Sequence, residues 1–546
     1  MKDNPAFPVA IQVDAANPKG ELKPIWRFFG YDEPNYTYMR DGKKLLSQLA
    51  ALSSSTVYVR AHNLLTTGDG TPALKWGSTN AYTETPDGTP VFDWTIIDLI
   101  FDTYLERNLK PLVQIGFMPQ ALSSHPEPYQ HAWFPGGKNP LHTGWAYPPK
   151  DYDKWGELVF QWVKHSIERY GQAEVERWYW EVWNEPNIFY WQGTPEEYHK
   201  LYDYAVDGVK RAAPSARVGG PHIAGTRHEH AQRFLRDFLE HCLRGTNYAT
   251  GKIGSPIDFV AFHAKGEPQF VDGHVETGIA AQLQNINNGF AIVAEYPELI
   301  DKPIIIGESD PDGCAACPEP VYPQNGYRNG TLFASYTAAV FARKHLLADR
   351  HRVNFEGAVT WAFEFEDQPY FAGFRVLSSN GLALPVLNVF RMFGQMHGQR
   401  LSAISSADVG VDAIMQHGVH DQPDVAALAC VHTQGMNVLV WHHHDVDLPG
   451  PMAEVTLTLQ HLPTTQQPVQ VLHYRIDEIH SNAFVAWKGM GSPQQPTPEQ
   501  YVQLERASEL SLLQSPYWAT PQPDGTLTLS FNLPRQGVSL LDVRWE

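Results

Sequence analysis

The stretch WYWEVWNEPN, Trp178 to Asn187, decides the reading of this 546-residue chain. It reads as a short buried strand that stops at Asn-Glu-Pro, where Asn and Pro both favour a turn. A carboxylic acid beside a carboxamide at a strand end suits cleavage of a glycosidic bond. The leaving oxygen needs a proton, and the sugar's 2-hydroxyl must be held while charge builds on the anomeric carbon. Glu185 is the candidate acid and Asn184 the candidate holder. Trp178, Trp180, Trp183 and Trp191 offer ring faces of the kind sugars stack on. A strand that merely ends in a turn is the alternative, and a second acid weighs against it.

That second acid is Glu308, in DKPIIIGESDP (301–311). Ile304, Ile305 and Ile306 make a buried strand, and Gly307 lets the backbone turn, which leaves Glu308 at the strand's C-terminal end. Either acid alone is a weak signal, because many strands end on an acid. Two acids on different strands at the same end of one sheet suggest a matched pair. One would be a proton donor with a raised pKa, the other an ionised nucleophile.

Outward from these two strands, apolar strands alternate with helical stretches through about residue 395, the pattern of a parallel sheet with crossover helices. The strand candidates are IWRFFG (25–30), TVYVRA (56–61), KPLVQIGF (110–117), WYWEVWNE (178–185), ARVGGPH (216–222), DFVAFH (258–263), KPIIIGE (302–308) and GAVTWAFE (357–364). The clearest helix runs from Asp151 to Tyr170, with Trp155, Leu158, Val159, Trp162, Val163 and Ile167 at helical spacing. Another, over 385–396, opens with Pro385 in its first turn. Eight strand–helix units imply an α/β fold, a (β/α)8 TIM barrel whose chemistry sits at the C-terminal strand ends. Glu185 then ends the fourth strand and Glu308 the seventh. The loops over 64–92 and 118–150 are long and rich in Gly, Pro and aromatic residues, Trp76, Trp133 and Trp145 among them. Such loops shape a substrate pocket; stacking in the barrel wall is the other reading of those rings.

From about residue 399 alternating runs appear, such as AEVTLTLQHL (453–462), VQVLHYRID (469–477) and TLTLSFNL (526–533). They predict an accessory antiparallel β-sandwich over 399–546, with the N-terminal strand of 1–15 joining it and the barrel occupying 16–398.

The formal charge is −19 and no basic run appears, which argues against nucleic acid and anionic membrane as partners and is compatible with a neutral sugar. No stretch reaches transmembrane length, and the start MKDNPAFPVA has no apolar core of signal-peptide length; a soluble, cytoplasmic protein is the expectation. Four cysteines make no disulfide framework. Cys314 and Cys317 form a C-x-x-C read as a pair of buried loop thiols, with a redox pair or half a zinc site as the functional alternatives. The triplet His442-His443-His444 reads as a polar strand end rather than a metal site.

WNEPN on the fourth strand, AFHAKG on the sixth and IIIGESDP on the seventh together resemble family 39 of the glycoside hydrolases, which contains β-xylosidases and α-L-iduronidases. The resemblance covers essentially the whole chain. It implies Glu185 as general acid/base, Glu308 as nucleophile, Asn184 as the group holding the 2-hydroxyl, and His263 in contact with the nucleophile or the sugar. Trp361 would form the pocket floor, and Glu366 or Asp367 would bind sugar hydroxyls. Arg60, His62 and Asn63 of VRAHN touch either the nucleophile or the sugar, or else form a buried ion-pair network at the barrel mouth.

The expected reaction is two-step hydrolysis with retention, which needs carboxyl groups roughly 5–5.5 Å apart and no metal or organic cofactor. The resemblance puts release of terminal xylose from xylo-oligosaccharides first. Lys265 points the other way, towards a uronate as in iduronidases, but no second basic partner after the eighth strand can be placed from sequence. An α-L-arabinosidase and a non-catalytic carbohydrate-binding protein complete the alternatives. Oligomeric state is not legible.

Overall fold

The computed structural model describes residues 5–545 except 76, 129, 132–140, 143, 313, 315, 362, 465 and 466, so Trp76 and Trp133 lie outside the described residues. Its centre is a closed barrel of eight parallel strands: β1 (Phe28–Tyr31), β2 (Tyr58–Ala61), β3 (Lys110–Ile115), β4 (Tyr179–Val182), β5 (Arg217–Ile223), β6 (Phe259–His263), β7 (Ile304–Glu308) and β8 (Phe355–Trp361). Each strand pairs with the next in sequence, and β8 closes on β1 with Val359 opposite Phe28.

Alternation along the strands divides two cores. Phe28, Tyr58, Leu112, Tyr179, Phe259, Ala261, Ile305, Val359 and Trp361 fill the barrel interior. Val59, Val113, Trp178, Trp180 and Ile304 belong to the larger core beneath the helices. β5 contributes glycine inside: a Cβ on Gly219 would lie 2.2 Å from the Phe259 carbonyl oxygen and 2.8 Å from the Phe259 ring.

A helix follows each strand: α1 (Arg40–Ala50), α2 (Thr95–Leu105), α3 (Tyr152–Tyr170), α4 (Pro195–Ala212), α5 (Glu229–Arg244), α6 (Ile279–Ala294), α7 (Thr331–His351) and α8 (Pro385–Gln395). At the start of α3 the Asp151 carboxylate accepts the Lys154 N–H at 3.1 Å. Trp155, Leu158, Val159, Trp162 and Val163 form its buried stripe, and Gly171, at φ 87°, ends it.

Ten of the other strands form one continuous sheet, mostly antiparallel, and four two-stranded sheets lie apart from it. The N-terminal strand Phe7–Glu21 lies inside it, antiparallel to Gln399–Ser405 and parallel to Ala453–Gln460. Val9, Ile11, Val438, Val455, Leu457, Leu529, Leu541 and Val543 give this sheet a core built from strands alone. Alternate residues Leu439, Trp441 and Leu540 face the barrel core instead, where Arg343 of α7 meets Asp424 at 2.6 Å. Two short helices, Ala483–Gly489 and Pro498–Ser508, reach the loop between β8 and α8: Phe371 packs on Phe484 and Trp487 with ring centroids 5.5 and 5.1 Å apart.

Cys314 and Cys317 are joined as a disulfide, which corrects the reading of two free loop thiols. His442 and His443 are buried in the strand Gly435–His443, and His442 Nδ1 faces the Leu533 carbonyl at 3.0 Å. No helix among the described residues is long and apolar enough to cross a membrane.

Candidate active site

The strand ends gather most of the residues singled out by sequence. Glu308, His263 and Trp361 are the last residues of β7, β6 and β8. Glu185 lies three residues beyond β4, further from the ladder than the sequence candidate implied. Trp183 at φ 72° and Glu185 at φ 46° take left-handed backbone uncommon for residues with side chains, and the Glu185 N–H donates to the His222 carbonyl at 3.0 Å. This turn carries the acid off the strand and over the barrel mouth.

One carboxylate oxygen from each of Glu185 and Glu308 and one His263 nitrogen lie within 4.8 Å of one another. Both acids are buried, and their pKa values move in opposite directions. Burial, then the charge of Glu308, raises Glu185 from 4.5 to about 7. Burial would also raise Glu308, but the positive charges beside it, Lys265 first and Arg60 with it, outweigh burial and hold this carboxyl well below the usual range. Two acids that would titrate alike in water are thus separated into a proton carrier and a carboxylate.

Arg60, fully buried on β2, organises the carboxylate side. Its Nε donates to Glu181 Oε1 at 2.6 Å, Nη1 to Glu308 Oε1 at 3.2 Å and Nη2 to Asn184 Oδ1 at 3.0 Å. The last contact orients the Asn184 amide with its nitrogen free of the guanidinium. Nη1 is also 3.0 Å from His62 Nε2, whose other nitrogen faces Asp32 Oδ1 at 2.7 Å. The two readings of VRAHN therefore hold together: Arg60 and His62 form a buried polar network, and that network touches Glu308, the candidate nucleophile. Trp361, 1% exposed, lies beneath Arg60 at 5.0 Å and beside the His62 ring at 4.4 Å, at the top of the interior core.

Lys265 Nζ is 2.5 Å from Glu308 Oε2 and 3.1 Å from Asp310 Oδ1. Arg375 Nη1 reaches the same Asp310 oxygen at 3.1 Å, and the Nε and Nη2 of this fully buried guanidinium have no hydrogen-bond partner among the described residues. Arg375 is the basic residue after β8 that sequence reasoning did not find. Its signal was a lone arginine in the apolar run FAGFRVL, where a charge has to be buried for a reason. Asp32, one residue beyond β1, and Lys75, in the loop after β2, were also missed; they form a buried ion pair behind His62.

Glu366 and Asp367 stand apart from this cluster. Glu366 accepts the Asp41 N–H at the start of α1 and pairs with Arg40, while Asp367 is exposed. Among the described contacts neither carboxyl meets the two glutamates. Trp183 Nε1 donates to the Tyr190 carbonyl, and Trp178, Trp180 and Trp183 are fully buried, so these three rings act as wall rather than open stacking faces. Trp145 is buried as well.

Glu185, His263 and Glu308 are the one trio among the described residues whose donor atoms converge as a cation site requires. Lys265 and Arg60 already place two positive charges on Glu308, so a metal ion there would meet repulsion.

Over 444 residues the chain is 29% identical to a β-xylosidase of Caldicellulosiruptor saccharolyticus, covering 78% of each chain. It is 25% identical to an α-L-iduronidase of Mus musculus over 573 residues, 98% of this chain and 81% of that one. The fold matches that of a bacterial orthologue of human α-L-iduronidase with a TM-score of 0.75 at 19% identity, over 100% of this chain and 84% of that one. The model of glycosyl hydrolases family 39 matches residues 9–518. The chain is a glycoside hydrolase and belongs to family 39.

Proposed function

We propose that the enzyme is a retaining exo-glycosidase in which Glu308 attacks the anomeric carbon while Glu185 protonates the leaving oxygen. Water, deprotonated by Glu185, then breaks the glycosyl-enzyme. The observation that carries this reading is the approach of one oxygen of each carboxyl to within 4.8 Å, the closely set arrangement of retaining enzymes rather than the roughly 6.5–9.5 Å that leaves room for a water in inverting ones. The opposed pKa values support the same roles. Once Glu308 is esterified its charge is gone, so one cause of the raised Glu185 pKa disappears and Glu185 is freed to act as a base. Asn184 would hold the 2-hydroxyl and His263 the acid. In this reading the barrel, 16–398, carries the chemistry, and 399–546 with the N-terminal strand braces it.

For the sugar, a terminal xyloside keeps the support of the β-xylosidase relative. Lys265 and Arg375 favour a terminal uronide over it. Two cations share one Asp310 oxygen beside the nucleophile, and two orphaned donors on a buried guanidinium cost about 1–3 kcal/mol each until an acceptor satisfies them. A sugar carboxylate is such an acceptor, and a charge-assisted bond to it is worth about 1.5–3 kcal/mol. We therefore rank uronide above xyloside and arabinoside. Turnover of aryl α-L-iduronide, β-D-xyloside and α-L-arabinosides decides: the ranking stands if kcat/KM is highest on the iduronide, and a higher value on the xyloside reverses it.

A further inference from the structure

Behind Glu185 runs a line of buried groups that the reaction itself does not call for. His263 Nδ1 lies 2.9 Å from Glu185 Oε1, His263 Nε2 lies 3.3 Å from His222 Nδ1, and His222 Nε2 lies 2.5 Å from Glu181 Oε2. Glu181, His222 and His263 are each at most 1% exposed. His222 sits at φ 54°, a conformation that costs a histidine energy and persists where the surroundings impose it.

Charge and hydrogen bonding together place the protons on this line, starting from its charged end. Glu181 is an acceptor only, ionised beside Arg60 and held below its ordinary pKa despite burial. Its Oε2 lies 2.5 Å from His222 Nε2, off the line of a hydrogen bond, and the negative charge at that separation draws the His222 proton to Nε2. Burial keeps His222 neutral near neutral pH, with its pKa pushed down to about 4, so its Nδ1 is a lone pair. His263 Nε2–H must then donate to it. His263 is neutral for the same reason, which leaves its Nδ1 as a lone pair aimed at Glu185. The hydrogen bond between them exists only when Glu185 carries the proton.

We infer that Glu181 and His222 are positioning residues that set the tautomer of His263, so that its Nδ1 accepts a hydrogen bond from protonated Glu185. No proton leaves the line. Its work is to favour the neutral acid in the free enzyme and, after the leaving group has taken the proton, to make ionised Glu185 a stronger base, because the Nδ1 lone pair then faces a carboxylate. Other charges also act on Glu185: Glu308 from β7, Lys265 from beyond β6, His62 from beyond β2 and Lys75 from the next loop. Of these, Glu308 also faces His263, its Oε1 3.7 Å from Nδ1 and beyond hydrogen-bond length, whereas His222 Nδ1 lies within that length of His263 Nε2 at 3.3 Å.

The inference rests on Glu185 as the acid, but its first test needs no turnover. In 15N-histidine NMR of the ligand-free enzyme at neutral pH, His263 and His222 should each be protonated at Nε2 and bare at Nδ1, with resonances assigned through the H263Q and H222N variants. His263 protonated at Nδ1, or on both nitrogens, overturns the inference. His222→Asn is the second test, since asparagine tolerates the left-handed backbone at this site. Freed from His222, His263 should move its proton to Nδ1 and donate to the Glu185 carboxylate, and the alkaline limb of kcat/KM should shift down by about one pH unit. A folded H222N enzyme with His263 still protonated at Nε2 and the limb unmoved also overturns it. Loss of limb position without the tautomer change would reflect hydration of the pocket alone and would overturn the inference too.

Discussion

Lys265 Nζ and Glu308 Oε2 lie 2.5 Å apart, so the lysine that would hold a uronate carboxylate in the proposed reading is at the same time the strongest opposing charge on Glu308. The two duties make separable predictions. As counter-charge, Lys265 keeps Glu308 ionised at low pH. Lys265→Ala should therefore raise the Glu308 pKa, shift the acid limb of kcat/KM towards the ordinary carboxylate range, and slow every substrate. As recognition group, it should cost a uronide about 10-fold or more beyond its effect on a xyloside. Profiles on both substrates check this; an unmoved acid limb would remove the counter-charge role.

Arg375 separates recognition from nucleophile chemistry more cleanly, because it reaches Asp310 rather than Glu308. Arg375→Gln should lower kcat/KM on the uronide by about 10-fold or more while changing xyloside turnover less. Equal losses on both would reduce Arg375 to a support for Asp310.

The alkaline limb reports the acid. Burial and the Glu308 charge raise Glu185 to about 7, so the protonated form is lost as pH climbs through that value, and kcat/KM should fall on the alkaline side with an apparent pKa near it. Glu185→Gln should abolish this limb. The variant should also lose activity on poor leaving groups, keep the first step on activated aryl glycosides, and regain turnover when azide attacks the glycosyl-enzyme. Equal loss on good and poor leaving groups without azide rescue would assign the acid elsewhere.

Packing inside the barrel predicts a purely structural failure. Gly219→Ala would place a Cβ 2.2 Å from the Phe259 carbonyl, backbone that cannot swing aside, and should destabilise the fold by about 1–3 kcal/mol or more. A denaturant midpoint equal to that of the native chain would contradict the close approach of β5 and β6.

The eight barrel strands were legible because strands buried on both faces read as continuous apolar runs, as Ile304–Ile306 does. Their ends were less so. β4 stops at Val182 because Trp183 turns left-handed, and nothing in WNEPN announces that conformation. Glu185 and Glu308 were legible as strand-end acids. Asp32, Lys75 and Arg375 were not, because each matters through a partner far away in sequence. The helix Pro498–Ser508 did carry a local signal, the capping box of Thr497 with Gln500, hidden among the alternating runs around it. Glu366 and Asp367 illustrate the opposite case: acids that follow Trp361 in the chain, whose direction is set by α1 and by solvent rather than by the pocket.

The central claim is that Glu308 forms a covalent bond to the sugar. A 2-deoxy-2-fluoro glycoside of the preferred sugar with an activated leaving group slows both steps, while the leaving group rescues the first. Mass spectrometry of a digest should find the glycosyl adduct on Glu308, in the peptide containing IIIGESDP. An adduct on any other residue, or product released with inverted anomeric configuration, would contradict the two-step mechanism.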